Sequence, residues 1–205
     1  MTRTWFLIIA MTVPLGIGFG WDHTELDRGI ELFQAGKYEE AEGALSAAVQ
    51  ADPENARAHE FLGRTRLALK KVGEAQSELA KADQLSPDNA TVKISLARIY
   101  LEQRDLDKAE SAANKAAQLG DANPDIPLYR GAIAVAKRDY KTGVRLLEEA
   151  LEKNPEAAYA HYYAGLAYNG LRQPDKMVEH FRAFLKLAPD APEAAKVESL
   201  LRATR

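Results

Sequence analysis

Along residues 36–53, GKYEEAEGALSAAVQADP, apolar positions fall at helical spacing, with Ala41, Leu45 and Ala48 on one face and Pro53 closing the run. The same spacing returns at Ala75, Leu79, Ala82 and Pro87, at Gly143, Leu147, Ala150 and Pro155, and at Met177, Phe181, Phe184 and Pro189. Matching prolines stand about 34 residues apart, the period of a helix-turn-helix repeat. In the middle copy Ala109, Ala113 and Ala116 keep the helix slots, but Pro124 arrives late, after Gly120, Asp121, Ala122 and Asn123. This longer turn predicts an irregular joint there, and any bend in the array with it.

The periodicity predicts helix pairs over about 22–35 with 38–51, 54–69 with 72–85, 88–102 with 106–119, 125–137 with 140–153, and 156–170 with 174–187. Asp88 before Asn89 and the Pro124–Asp125 pair stand where helix starts need an acceptor or a proline. Residues 191–203 read as one more helix, with Ala194, Val197, Leu200 and Leu201 on a single face, suited to cover the end of a stacked array. The array spans residues 21–190, with repeats at about 22–55, 56–89, 90–123, 124–157 and 158–190.

Residues 1–20 have a different pattern: Arg3, an apolar run from Trp5 to Val13, then Pro14, Gly16, Gly18 and Gly20. This is the layout of a secretory signal peptide cut near Gly20. The alternative is an uncleaved membrane tether through residues 5–21. Either reading places the repeats outside the cytosol, periplasmic or secreted in the first case and membrane-anchored in the second. The glycines here do not make a nucleotide loop, because no strand-loop-helix unit surrounds them.

In the first helix of each pair a small residue recurs: Leu62–Gly63 in the second, Gly29, Gly131 and Gly165 in three others, and Ala97 in the third. Together with the small-bulky-small-proline order of the second helices, this resembles the tetratricopeptide repeat. The family's tryptophan slot holds Glu25, His59, Lys93, Pro127 and His161 instead, and its aromatic slot is filled only by Tyr100 and Tyr168. The resemblance implies an all-α, right-handed α-solenoid of about five hairpins plus a C-terminal capping helix. It also implies a non-enzymatic scaffold that binds a peptide or helical segment of a partner in its concave groove. The alternative is a structural or assembly subunit of an envelope or secretion complex that uses its convex face or cap.

Composition narrows the chemistry. The chain has 205 residues, 46% hydrophobic and 28% charged, enough apolar content to fold. A net charge of −3 gives no overall pull toward nucleic acid. With no cysteine, disulfides, thiolate nucleophiles and Cys-ligated metals are excluded. His23, His59, His161 and His180 lack a second histidine at ligand spacing on their own helices, so no metal or cofactor is expected, and no catalytic residue stands out. His59 and His161 share one slot of the repeat, which packing explains. The pairs Glu39–Glu40 and Glu148–Glu149 read as solvated charge, and Asn89-Ala90-Thr91 matches a glycosylation sequon.

The family's inner slots fall on the first helix of each pair. They hold Leu26, Ile30 and Phe33, then Arg57, Glu60, Arg64 and Leu67, then Ile94, Arg98 and Leu101. Leu128, Ala132 and Val135 follow, and Tyr159, Tyr162, Leu166 and Asn169 close the series. Of these, Arg57, Glu60, Arg64, Arg98, Leu128, Tyr159, Tyr162 and Asn169 are the candidate partner-binding residues. Arg64 and Arg98, one period apart, could grip a carboxylate together, or each could pair along its own helix with Glu60 and Glu102. Tyr159 and Tyr162 offer large contact area with a polar tip.

Overall fold

The computed structural model describes residues 24–120 and 122–203, and the expected leader or tether lies outside them. The described residues form eleven helices and no strand: α1 Glu25–Gln34, α2 Tyr38–Ala51, α3 Ala56–Ala68, α4 Val72–Leu85, α5 Ala90–Glu102, α6 Leu106–Gln118, α7 Asp125–Ala136, α8 Tyr140–Lys153, α9 Ala158–Gly170, α10 Pro174–Leu187 and α11 Ala194–Ala203. None is long and apolar enough to cross a membrane. The first ten pair in order into five hairpins.

Side-chain caps set where the first helices begin. Thr24 accepts from the Asp27 N–H, Asn55 from Ala58 and Asn89 from Val92. A cap stands just outside the helix it starts, so α3 and α5 begin two residues later than the periodicity predicts. The Asn89 amide also donates to Glu60 Oε2 at 2.8 Å. Both ends of this side chain are occupied by the fold, which speaks against its use as a sugar acceptor.

Each hairpin closes on one contact. A Cβ placed on Gly29, Gly63 or Gly131 would lie 2.6–2.7 Å from Cγ of Leu45, Leu79 or Leu147, and on Gly165 it would lie 2.4 Å from the Phe181 ring. The missing side chain on the first helix is thus the space that the bulky residue of the second helix fills. In the third hairpin the exchange is reversed: Ala97 carries a Cβ, and its counterpart in the bulky slot is Ala113, both buried in the same cluster. Volume is shared between the two slots, as close packing requires.

Adjacent hairpins stack chiefly through the second helix of one on the first helix of the next, α2 on α3, α4 on α5, α6 on α7 and α8 on α9, and most neighbouring first helices also meet. α1 touches α3, α5 touches α7 and α7 touches α9, while the second helices make no comparable contact with each other. The first helices therefore form the inner layer of a superhelix. Pro124 follows a connection of six residues rather than four, with Gly120 left-handed at φ 71°. Even so, α5 and α7 stay in contact and share a core that runs from Ile94 and Ala97 to Ile126 and Ile133. The extra residues are absorbed in the turn. The weaker inner contact lies one joint earlier, between α3 and α5, where charged side chains replace apolar ones.

At the far end α11 covers the last hairpin. Val197 is fully buried, and Leu200 and Leu201 pack on the cluster of Met177, Phe181 and Phe184. Fully burying each such side chain is worth roughly 1.5–3 kcal/mol. The expected cap is present, although its helix begins only at Ala194.

Candidate functional site

Two hollows open on the inner layer, and they differ in chemistry. The first, of about 200 Å³, lies between α3, α5 and the start of α7 and is lined by Arg64, Arg98, Asp125 and Tyr129, with Phe33 and Tyr38 at its side. Arg64 and Arg98 do converge here, as their one-period spacing predicts. Each also has a carboxylate on its own helix: Arg64 Nη1 donates to Glu60 Oε1 at 3.0 Å, and Arg98 Nε to Glu102 Oε1 at 3.1 Å. The Arg64 guanidinium lies over the rings of Phe33 and Phe61, 4.8 and 5.0 Å from their centroids.

A third carboxylate comes from the next hairpin. Burial pushes the Asp125 carboxyl above its ordinary range, and the Arg98 and Arg64 charges pull it back. Burial likewise raises the Tyr129 phenol to about 12, so it stays protonated and neutral at physiological pH. The carboxylates that neutralise these arginines are therefore already supplied by the chain. Glu60 is buried, with one oxygen on Arg64 and the other on Asn89, so it ties α3 to the start of α5 and is withdrawn from any partner. Of the expected groove residues, Glu60 is thus the one whose carboxylate is taken up within the fold.

The second hollow, about 600 Å³, lies on the inner side of α5, α7 and α9. It is lined by Ala132, Val135, Tyr162, Tyr163 and Leu166, with Tyr140 and Asn169 beside them and four charged residues, Glu102, Arg104, Arg138 and Glu193. Tyr162 is 8% exposed and packs edge-on against Tyr163 and tilted against Phe184, with ring centroids 5.1 and 5.2 Å away. Burial raises its phenol, helped by the Glu193 charge, and burial raises that of Tyr163 as well. Tyr159 is 39% exposed, and its hydroxyl donates to Glu193 Oε2 at 3.1 Å, which fastens the cap segment to α9.

The remaining candidates scatter. Asn169 is exposed at the edge of the larger hollow, and Arg57 is exposed 5.8 Å from the Phe61 ring centroid. Leu128 lies in the core between the fourth and fifth hairpins, which removes it from direct contact with a partner. Sequence reasoning missed Tyr140, Tyr163, Arg104, Arg138 and Glu193 as lining residues. The first four flank or precede the inner slots, and Glu193 arrives from beyond the array.

The two histidines of the shared slot are structural. His59 Nε2 lies 3.0 Å from the Pro53 carbonyl and His161 Nε2 3.1 Å from that of Pro155, the prolines that close the preceding repeats. Their Nδ1 atoms meet the neighbouring helix, Glu78 Oε2 at 2.6 Å and His180 Nδ1 at 3.0 Å. Glu148 is not simply solvated: it accepts from Tyr168 Oη at 2.8 Å and lies 3.6 Å from His180 Nε2. Among the described residues no group of three such side chains could hold a metal ion.

The repeat pattern, the hairpin contact and the inner layer have counterparts among known proteins. Matches to the family described as tetratricopeptide repeat cover residues 26–90 and 130–192, and a second set covers 67–134. The chain belongs to the tetratricopeptide repeat family. It is similar in fold to MamA, at a TM-score of 0.59 and 22% identity over 84% of this chain and 92% of that one. YrrB, described as a TPR protein with an unusual peptide-binding site, aligns at 0.58 and 18% identity over 85% of this chain and 90% of that one. A thermophilic TPR protein of Thermus thermophilus aligns at 0.66 and 20% identity over 86% and 97%. In sequence, 63 residues are 36% identical to Cell division cycle protein 27 homolog A of Arabidopsis thaliana, a stretch that is 31% of this chain and 9% of that relative.

Proposed function

We propose that this protein-interaction scaffold holds an extended or helical segment of a partner in the larger hollow of its inner face. The observation that carries the proposal is a cavity of about 600 Å³ in which the aromatic and apolar side chains of Tyr162, Tyr163, Leu166 and Val135 stand beside charged ones from Glu102, Arg104, Arg138 and Glu193. Such a site takes apolar side chains of a peptide into its floor and fixes their orientation at the edge. The peptide-binding relative YrrB supports the reading by its fold.

A photo-crosslinking side chain at exposed Asn169, compared with one at exposed Glu152 on outer helix α8, tests the proposal. Groove binding joins the partner to position 169 and not to 152. The reverse result would assign the interaction to the convex face and make the chain an assembly subunit. We also propose that the array works outside the cytosol, on the pattern of residues 1–20. A chain recovered from its cells as a soluble cytosolic protein still beginning at Met1 would contradict export.

A further inference from the structure

All five hairpin corners share one backbone conformation. The second residue after each first helix is left-handed: Gly36 at φ 74°, Lys70 at 61°, Arg104 at 64°, Arg138 at 66° and Arg172 at 60°. Glycine adopts this conformation without strain, and the first corner has it. The other four carry a cation each, and all four are exposed. Nearby cations are committed, Lys71 to Glu42, Lys108 to Asp105 and Lys137 to Glu110. The four corner cations make no ion pair or side-chain hydrogen bond among the described residues. A positive charge also complements the end of a helix dipole, but Lys71 and Lys137, one residue from a corner, already supply one at two of these ends.

First helices in contact pack about 10 Å apart, so Arg104, Arg138 and Arg172, at the ends of α5, α7 and α9, follow one another at about that spacing on one edge of the inner layer, with Lys70 beyond the looser α3–α5 joint. Arg104 and Arg138, the middle two, also line the larger cavity. We propose that this row recognises an acidic segment of a partner protein, one carboxylate to each corner. The inference rests on the groove reading and gives that groove's partner a chemistry. A polyproline II strand has three residues per turn and rises about 9 Å per turn, so an acidic residue at every third position would present carboxylates on one face at nearly the corner spacing. The residues between them face the cavity beside Tyr162 and Leu166. A flat anionic membrane fits less well, because the middle two cations border a concavity.

The test uses labelled twelve-residue peptides of one composition, with glutamate either at every third position or in a single block, together with vesicles rich in phosphatidylserine. Lys70, Arg104, Arg138 and Arg172 are all changed to glycine in one variant, the residue that Gly36 shows the corner accepts. The expected result is that the periodic peptide binds at least about tenfold more tightly than the blocked one, is weakened by salt, and is lost in the four-glycine variant with an unchanged helical spectrum. Equal binding of the two peptides, retained binding in the four-glycine variant, preference for vesicles, or no peptide binding at all would each overturn the proposal. Asn169→Trp separates the two readings. If it alone abolishes binding, the cavity is the site and the row is not; if only the four-glycine variant does, the row stands without the cavity.

Discussion

The inner face of this array is made twice from the same slots, with opposite outcomes. Around α3 and α5 the slots hold arginines and a glutamate, and the chain supplies partners for the central three: Glu60 for Arg64, Glu102 for Arg98, Asn89 for Glu60, and Asp125 beside both guanidiniums. Around α7 and α9 the slots hold Ala132, Val135, Tyr162 and Leu166, which bury their outer sides in the core and leave a cavity between them. Charge in a concave wall finds internal counter-charge and becomes a joint. Aromatic and apolar side chains that cannot fill a curved space leave room for another molecule. The more conspicuous arginine pair is thus the one already matched with counter-charge.

That contrast can be broken at the N-terminal joint. Glu60→Ala removes a buried carboxylate that serves two donors, and should cost about 2–3 kcal/mol in urea unfolding; a loss below about 0.5 kcal/mol would mean the joint does not depend on it. A somewhat smaller effect tests whether volume is exchanged between helices of one hairpin. Gly63→Ala drives a Cβ to 2.6 Å from Leu79 Cγ and should cost about 2 kcal/mol. Adding Leu79→Ala recreates the Ala97–Ala113 arrangement and should destabilise by less than the sum of the two single changes. Strict additivity would contradict the exchange.

The smallest expected effect lies at His180 on α10, among His161, Glu148 and Tyr168. Burial, joined by the nearby His161, holds the His180 imidazole below its ordinary 6.5, against the opposing pull of Glu148. A histidine with a depressed folded pKa favours the neutral form when folded. Its stabilising contribution is complete above 6.5 and is lost as pH falls from there through the depressed value. Thermal unfolding should therefore weaken from pH 7.5 to 5.5 by about 1 kcal/mol or less, and His180→Phe should flatten that slope. An unchanged slope in the variant would place the effect elsewhere.

Most of the fold was legible because its signals are local. Prolines, hairpin glycines and apolar spacing placed the helix ends of the array to within about three residues, and the departures trace to caps such as Asn55 and Asn89 that stand just outside their helices. The inner slots were legible as positions. What occupies their partners was not, since Asn89 reaches Glu60 across 29 residues and Tyr159 reaches Glu193 across 34. The corner cations were visible as a 34-residue series from Lys70 to Arg172, but only the backbone shows that each sits where glycine is favoured. The late Pro124 correctly marked a longer turn, yet the loosened inner contact appears between α3 and α5, where charge rather than loop length governs packing.

The central claim is that partners bind the C-terminal cavity rather than the arginine joint. Partner affinity measured for Asn169→Trp and Arg64→Gln side by side tests it most directly. Filling the cavity should weaken binding by at least about tenfold, while loss of the Arg64 charge should change it by less than about threefold. Binding that survives Asn169→Trp and collapses with Arg64→Gln would move the site to the arginines and contradict the account.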